Sequence, residues 1–126
     1  MAVCAGAVVQ GHMVATAGSY DAYPYVGYAY WFSHPDHLGV MGGLAGIDTV
    51  RAGDARVLEI GCGDGGNVIS LATLLPSGRF VGIDLSTVQI EQGRRLIAEL
   101  GLTNVELHHA DLIDVVTSAL ADARGL

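Results

Sequence analysis

In the run RVLEIGCGDGG, residues 56–66, one carboxylate, Glu59, stands just ahead of a glycine series at 61, 63, 65 and 66. Gly61, Gly63 and Gly65 satisfy one spacing and Gly61, Gly63 and Gly66 another. Both mark a sharp turn where backbone comes close to a bound small molecule. The glycines alone leave the ligand open, and Glu59 narrows it. A carboxylate beside such a turn repels a pyrophosphate and suits a ligand that carries a positive group. Two more carboxylates end apolar runs, Asp84 in VGIDLS and Asp111 in HHADL. Each has an ordinary structural use as well: Glu59 can pair with Arg56 or Arg79, Asp84 can cap a helix opened by Ser86, and Asp111 can serve a turn.

The remaining chemistry-bearing residues are less organised. His34 and His37 are three apart at a probable helix start, a spacing seen at metal sites, but no third ligand accompanies them and a capping or solvated role is expected. His108 and His109 are adjacent on a strand and point to opposite faces. Cys62 would gain nucleophilicity at a helix N-terminus, yet no base is identifiable beside it. No metal site is expected, and no catalytic residue can be named.

These residues need a scaffold, and the apolar pattern supplies one. RVLEI reads as a short strand, Gly65 or Gly66 opens a helix running to about Leu75, and PSG turns into the strand RFVGIDL. Ser86 and Gln89 form a capping box for STVQIEQGRRLIAELG, Gly101 ends that helix, and Ile90, Gly93, Ile97 and Leu100 fall on one face at helical spacing. TNVELHHADL alternates as a third strand, placed at a sheet edge by its polar positions. Strand–helix–strand units imply parallel pairing and the order 3-2-1, the first half of a Rossmann-like doubly wound sheet of α/β class. Upstream, residues 19–50 hold all five Tyr and the single Trp31, an aromatic-rich cap. Within it, Ser33 is expected to cap a helix from Pro35 to about Ala45.

With 126 residues, 51% of them hydrophobic and 15% charged, the chain is globular and sized for one domain. Its net charge is -7 and its six basic residues are all Arg, so neither nucleic acid nor an acidic membrane is an expected partner. Cys4 and Cys62 show no disulfide or finger spacing. Residues 1–18 lack the positive start of a signal peptide and read as a disordered or non-native leader, with Met13 an alternative start. A cytoplasmic location is expected. Residues 51–126 form the partial ligand-binding domain.

LEIGCGDGG resembles the first motif of class I S-adenosylmethionine-dependent methyltransferases, in which an acidic residue stands ahead of GxGxG with one residue between. VGIDLS and HHADL follow in that family's order. The segment SYDAYPYVGYAYWFSHPDHLGVMGGLAGI is similar to the start of bacterial methyltransferases with a methyltransferase regulatory domain, some of them protein-lysine methyltransferases. The likeness spans residues 19–114. It departs at Trp31 and Phe32, where a second PF-like element is expected, and at the end VVTSALADARGL.

The resemblance implies S-adenosylmethionine as cofactor. Gly61, Gly63 and Gly65 would let the main chain approach its methionine part, with Cys62 offering backbone groups and Glu59 near the amino group. Asp84, with Leu85 beside it, would accept from the ribose hydroxyls. Asp111 would accept from the adenine amino group, flanked by Ala110 and Leu112. Tyr20, Tyr23, Tyr25 and His34 are candidates for a lid or for acceptor contact. The acceptor, protein or small molecule, stays open, with a protein lysine among the possibilities. The chain is expected to be part of a longer methyltransferase, because strand 1 would otherwise present an exposed apolar edge available for self-association. Two other readings remain: an NAD-binding oxidoreductase fragment, and a non-catalytic oligomerising module.

Overall fold

Glycine punctuation and apolar alternation translate into three strands and three helices in the computed structural model, which describes Asp21 and residues 26–117. The elements are α1 (Pro35–Leu44), β1 (Arg56–Ile60), α2 (Gly66–Leu74), β2 (Arg79–Asp84), α3 (Thr87–Leu100) and β3 (Val105–His109), with 3-10 turns at Trp31–Ser33 and Ala52–Asp54. Tyr20, Tyr23, Tyr25 and the leader lie outside the described residues.

The strands are parallel, with β2 between β1 and β3. This is the Rossmann-like half-sheet in the expected 3-2-1 order. Alternation decides which face is covered. Phe80, Val105 and Leu107 join Val68, Ile69, Leu71 and Ala72 of α2 and Ile90 of α3 in one core, so both helices pack on the same face. Leu58 and Ile60 point the other way and are 57% and 55% exposed. Among the described residues β1 pairs with β2 alone. No helix of the described chain is long and apolar enough to cross a membrane.

Local signals explain most helix ends. Ser86 Oγ accepts from the Gln89 amide at 3.2 Å, and Gly101, at φ +65°, turns its N–H back to Ile97 and Ala98. The reciprocal half of the expected capping box is replaced, because the Ser86 amide donates to Asp84 Oδ1 at 2.8 Å. At the end of α2, Asn104 Nδ2 donates to the Ala72 and Leu75 carbonyls, each at 3.1 Å, serving acceptors that a helix terminus leaves open.

One expectation is corrected. His34, not Ser33, caps α1: its Nδ1 accepts from the Asp36 amide at 3.2 Å. Ser33 sits in the preceding 3-10 turn and donates instead to the Tyr30 carbonyl at 2.8 Å. On α3, Ile90 and Gly93 are buried and Ile97 packs against the core, but Leu100 is 51% exposed. At 100° per residue Leu100 stands about 80° round the helix from Ile90, at the margin of the apolar stripe. The N-terminal segment docks through Asp21 and residues 26–33, and α1 itself buries none of its residues.

Candidate functional site

The glycine turn is fastened to β2 before any ligand is considered. The Gly61 and Cys62 amides both donate to the Ile83 carbonyl, at 2.8 and 3.1 Å, and the Gly65 amide closes the turn on the Cys62 carbonyl at 2.9 Å. Asp84, the last residue of β2, completes the tie. Its Oδ2 accepts from the Gly63 amide at 2.8 Å, and its Oδ1 accepts from Ser86. The carboxylate thus holds the turn against the head of α3, and each oxygen keeps lone-pair capacity for a further donor.

A cavity of about 370 Å³ opens there, lined by Gly61, Gly63, Asp84, Leu85, Ala110 and Leu112 together with Ile60, Ile83 and Gln89. Six of the sequence-derived candidates therefore share one space, of the size of small-ligand pockets. A Cβ on Gly61 would meet nothing within 4 Å. The cavity joins a bare turn and a strand-end carboxylate to apolar walls. A cofactor with a ribose diol and a flat base fits that combination.

Four candidates lie off this lining. Glu59 is half-buried on the helix-covered side of β1, where its Oε2 accepts from Asn67 Nδ2 at 3.3 Å. Burial pushes its pKa up, and the Asn67 and Val68 donors oppose that rise. Arg56, three positions back on the strand, belongs to the opposite face. Cys62 turns inward: its thiol is pushed up to about 12, first by burial and then by Asp84, Glu59 and Asp64. Such a thiol stays protonated at neutral pH and is no nucleophile. Its amide is already committed to Ile83. Gly65, at φ +79°, is buried, and a Cβ there would lie 2.8 Å from Leu107 Cδ1, so packing demands this glycine. Asp111 Oδ1 accepts from the Ile113 amide at 2.7 Å, which caps the helical run 112–117.

The histidines find structural partners. His34 caps α1, and His37 stacks edge-on with Trp31 at 4.9 Å. His108 Nε2 lies 3.2 Å from Glu106 Oε2, and His109 Nε2 lies 3.0 Å from the Leu85 carbonyl. Among the described residues no three His, Cys, Asp or Glu side chains gather as a metal-binding group.

Sequence reasoning missed Asp21, Asp64 and Asn67, which seat the N-terminal segment behind the turn. Ser86 Oγ donates to Asp21 Oδ1 at 2.5 Å. The Gly27 amide donates to Asp64 Oδ2 at 3.3 Å, and the Tyr30 amide to Asn67 Oδ1 at 3.0 Å. Gly66 permits the approach, since a Cβ on it would lie 2.7 Å from the Gly27 carbonyl carbon. One signal was present: Asn67 is a buried amide in the otherwise apolar start of GNVISLATL.

Comparison with known proteins places this geometry. A family model described as a methyltransferase domain matches residues 52–124. An uncharacterised protein of Rickettsia prowazekii, RP789, is 41% identical over 102 residues, 81% of this chain and 18% of its own length. A tRNA (guanine-N(7)-)-methyltransferase of Shewanella piezotolerans is 33% identical over 66 residues, 52% of this chain and 28% of that protein. Among solved structures, PKMT2 from Rickettsia typhi in complex with AdoHcy superposes with a TM-score of 0.62 at 37% identity, covering 67% of this chain and 16% of that one. The chain spans less than a third of the length of each of these relatives.

Proposed function

The chain belongs to the S-adenosylmethionine-dependent methyltransferases, and from that premise we propose that it forms the cofactor-binding part of an enzyme that methylates protein lysine. The observation that carries the cofactor reading is Asp84. Its carboxylate is fixed by two backbone amides at the mouth of the cavity that Gly61 and Gly63 keep open.

When bound, the cofactor supplies an electrophilic methyl group on a sulfonium. Asp84 would accept from the ribose hydroxyls with the lone pairs its two amide donors leave over. Leu85, Ala110 and Leu112 give the base apolar walls, and Asp111 acts mainly through the helix start that holds Leu112 in place. Gly61 lets the main chain approach the methionine part. Glu59, behind the turn, would place a carboxylate toward the cofactor's amino group. Fixing the cofactor in this way contributes to catalysis by alignment, because an in-line displacement depends on the angle and distance of approach. Support for a lysine acceptor is the resemblance of residues 19–50 to the start of bacterial methyltransferases some of which act on protein lysine, alongside the likeness to PKMT2.

Two measurements test this reading. S-adenosylhomocysteine should bind the chain saturably, and Asp84→Ala should lose most of that affinity. With cofactor labelled in the methyl group and a lysine-rich protein as acceptor, label should appear in methyl-lysine after acid hydrolysis. Label recovered only in nucleic acid or in another side chain would contradict the lysine assignment.

A further inference from the structure

At the head of α2 the sequence places an amide where its neighbours Val68 and Ile69 are core. Asn67 is 8% exposed, yet both ends of its carboxamide are engaged. Oδ1 lies 3.0 Å from the Tyr30 amide and 3.0 Å from Ser33 Oγ, while Nδ2 lies 3.3 Å from Glu59 Oε2. A backbone N–H can only donate, so the atom that meets Tyr30 must be the oxygen, and the amino group is left to face Glu59. The N-terminal segment therefore decides which way the amide points. Without those donors only the Glu59 carboxylate constrains the carboxamide, through a single 3.3 Å hydrogen bond. The reversed orientation would set two acceptors against each other.

We propose that Asn67 is a positioning residue: seated residues 26–33 orient its carboxamide, and the oriented carboxamide holds its amino group on Glu59, so that docking of the N-terminal segment sets the charge beside the cofactor. This rests on the cofactor reading above, in which Glu59 serves the cofactor's positive end. The surroundings make the donor consequential. Glu59 acts together with Asp84 of β2 and Asp64 of the turn on the Cys62 thiol. Arg56 and Arg79 are partners in register on the opposite face of the sheet. From α2 the groups that meet Glu59 are Asn67 and the Val68 amide. The titratable side chains of the docked segment are Tyr28, Tyr30 and His34, and His34 is engaged in capping α1. Burial pushes the Glu59 pKa up and the hydrogen bonds from Asn67 and Val68 oppose that rise, and of the two donors Asn67 is the one whose orientation can be lost.

Ser33→Ala is the sharpest test, because Ser33 lies off the cavity and its single hydroxyl proton is shared between the Tyr30 carbonyl and Asn67 Oδ1. In the full chain, the titration of the Glu59 carboxyl carbon would be followed by NMR in wild type, Ser33→Ala and Asn67→Asp, alongside hydrogen exchange of residues 26–33 and S-adenosylhomocysteine affinity. Ser33→Ala should quicken exchange in the segment, move the Glu59 titration to higher pH and weaken binding by about threefold. Asn67→Asp sets a second carboxylate against Glu59. It should move that titration further and weaken binding by about tenfold or more. Adding Glu59→Gln to Asn67→Asp restores an amide–carboxylate pair with reversed polarity. That double variant should recover thermal stability without recovering affinity. Faster exchange in Ser33→Ala with an unmoved Glu59 titration would overturn the proposal. So would an Asn67→Asp chain with the titration and affinity of wild type. A Glu59 titration that moves as expected in a chain that binds no S-adenosylhomocysteine in any form would leave Asn67 coupled to the segment and overturn the cofactor reading instead.

Discussion

Gly61 and Gly63 look onto a cavity, whereas Gly65 and Gly66 look onto protein: Leu107 and Ile69 beyond the first, the Gly27 backbone beyond the second. The four residues are alike in sequence and sit within one turn, yet they answer to different neighbours. The front of the turn leaves room for a ligand. Its back is closed by the core on one side and by the N-terminal segment on the other. Substitutions should therefore separate into those that cost stability and those that cost affinity.

The largest effect is expected at the back. Gly65→Val forces a branched side chain into φ +79° and into Leu107, and should cost about 3 kcal/mol or more in urea unfolding, the sum of backbone strain and overpacking. Equal stability of this variant and wild type would erase the distinction between front and back. At the front, Asp84→Ala should weaken S-adenosylhomocysteine binding by about 1.5–3 kcal/mol in calorimetry, the range for hydrogen bonds to a charged group. Gly61→Ala comes next. Its φ of +73° costs about 1 kcal/mol of stability for any L-residue, while its open surroundings spare it a clash, so affinity should fall with only mild loss of stability.

The smallest effect is on pH dependence. Burial raises the Glu59 pKa above its usual 4.5, so the folded chain holds this proton more tightly than the unfolded one. The contribution of Glu59 to stability is then full below pH 4.5 and is lost as pH rises through the folded-state value. Glu59→Gln should flatten that part of the stability profile and leave the ligand-free chain slightly more stable at neutral pH, while binding weakens. A profile unchanged by Glu59→Gln would place the carboxylate in water rather than behind the turn.

Much of the front was readable from residue types, because the relevant neighbours are close in sequence or fall at strand ends. Apolar runs broken by glycine marked β1 and β2, while Asp84 at the end of RFVGID was assigned to the site through the resemblance of VGIDLS to the methyltransferase motif. The back was not readable. Asn67 meets Tyr30 and Ser33 across 37 and 34 residues of chain, and Asp21 meets Ser86 across 65. No local pattern reports such pairings. The cap of α1 fell between these cases: Ser33 and His34 are adjacent, both can accept from an amide, and the 3-10 turn at Trp31–Ser33 commits the serine elsewhere. For Asp111, the structural use weighed beside the resemblance is the one the hydrogen bonds display, while Ala110 and Leu112 on either side of it do reach the cavity.

The central claim is that the cavity at the front of the turn takes S-adenosylmethionine and not a dinucleotide. Paired calorimetric titrations of the full chain with S-adenosylhomocysteine and with NAD test it most directly. The account predicts saturable binding of the first, reduced by Asp84→Ala, and no measurable heat from the second at the same concentrations. Preferential binding of NAD, or S-adenosylhomocysteine binding untouched by Asp84→Ala, would contradict it.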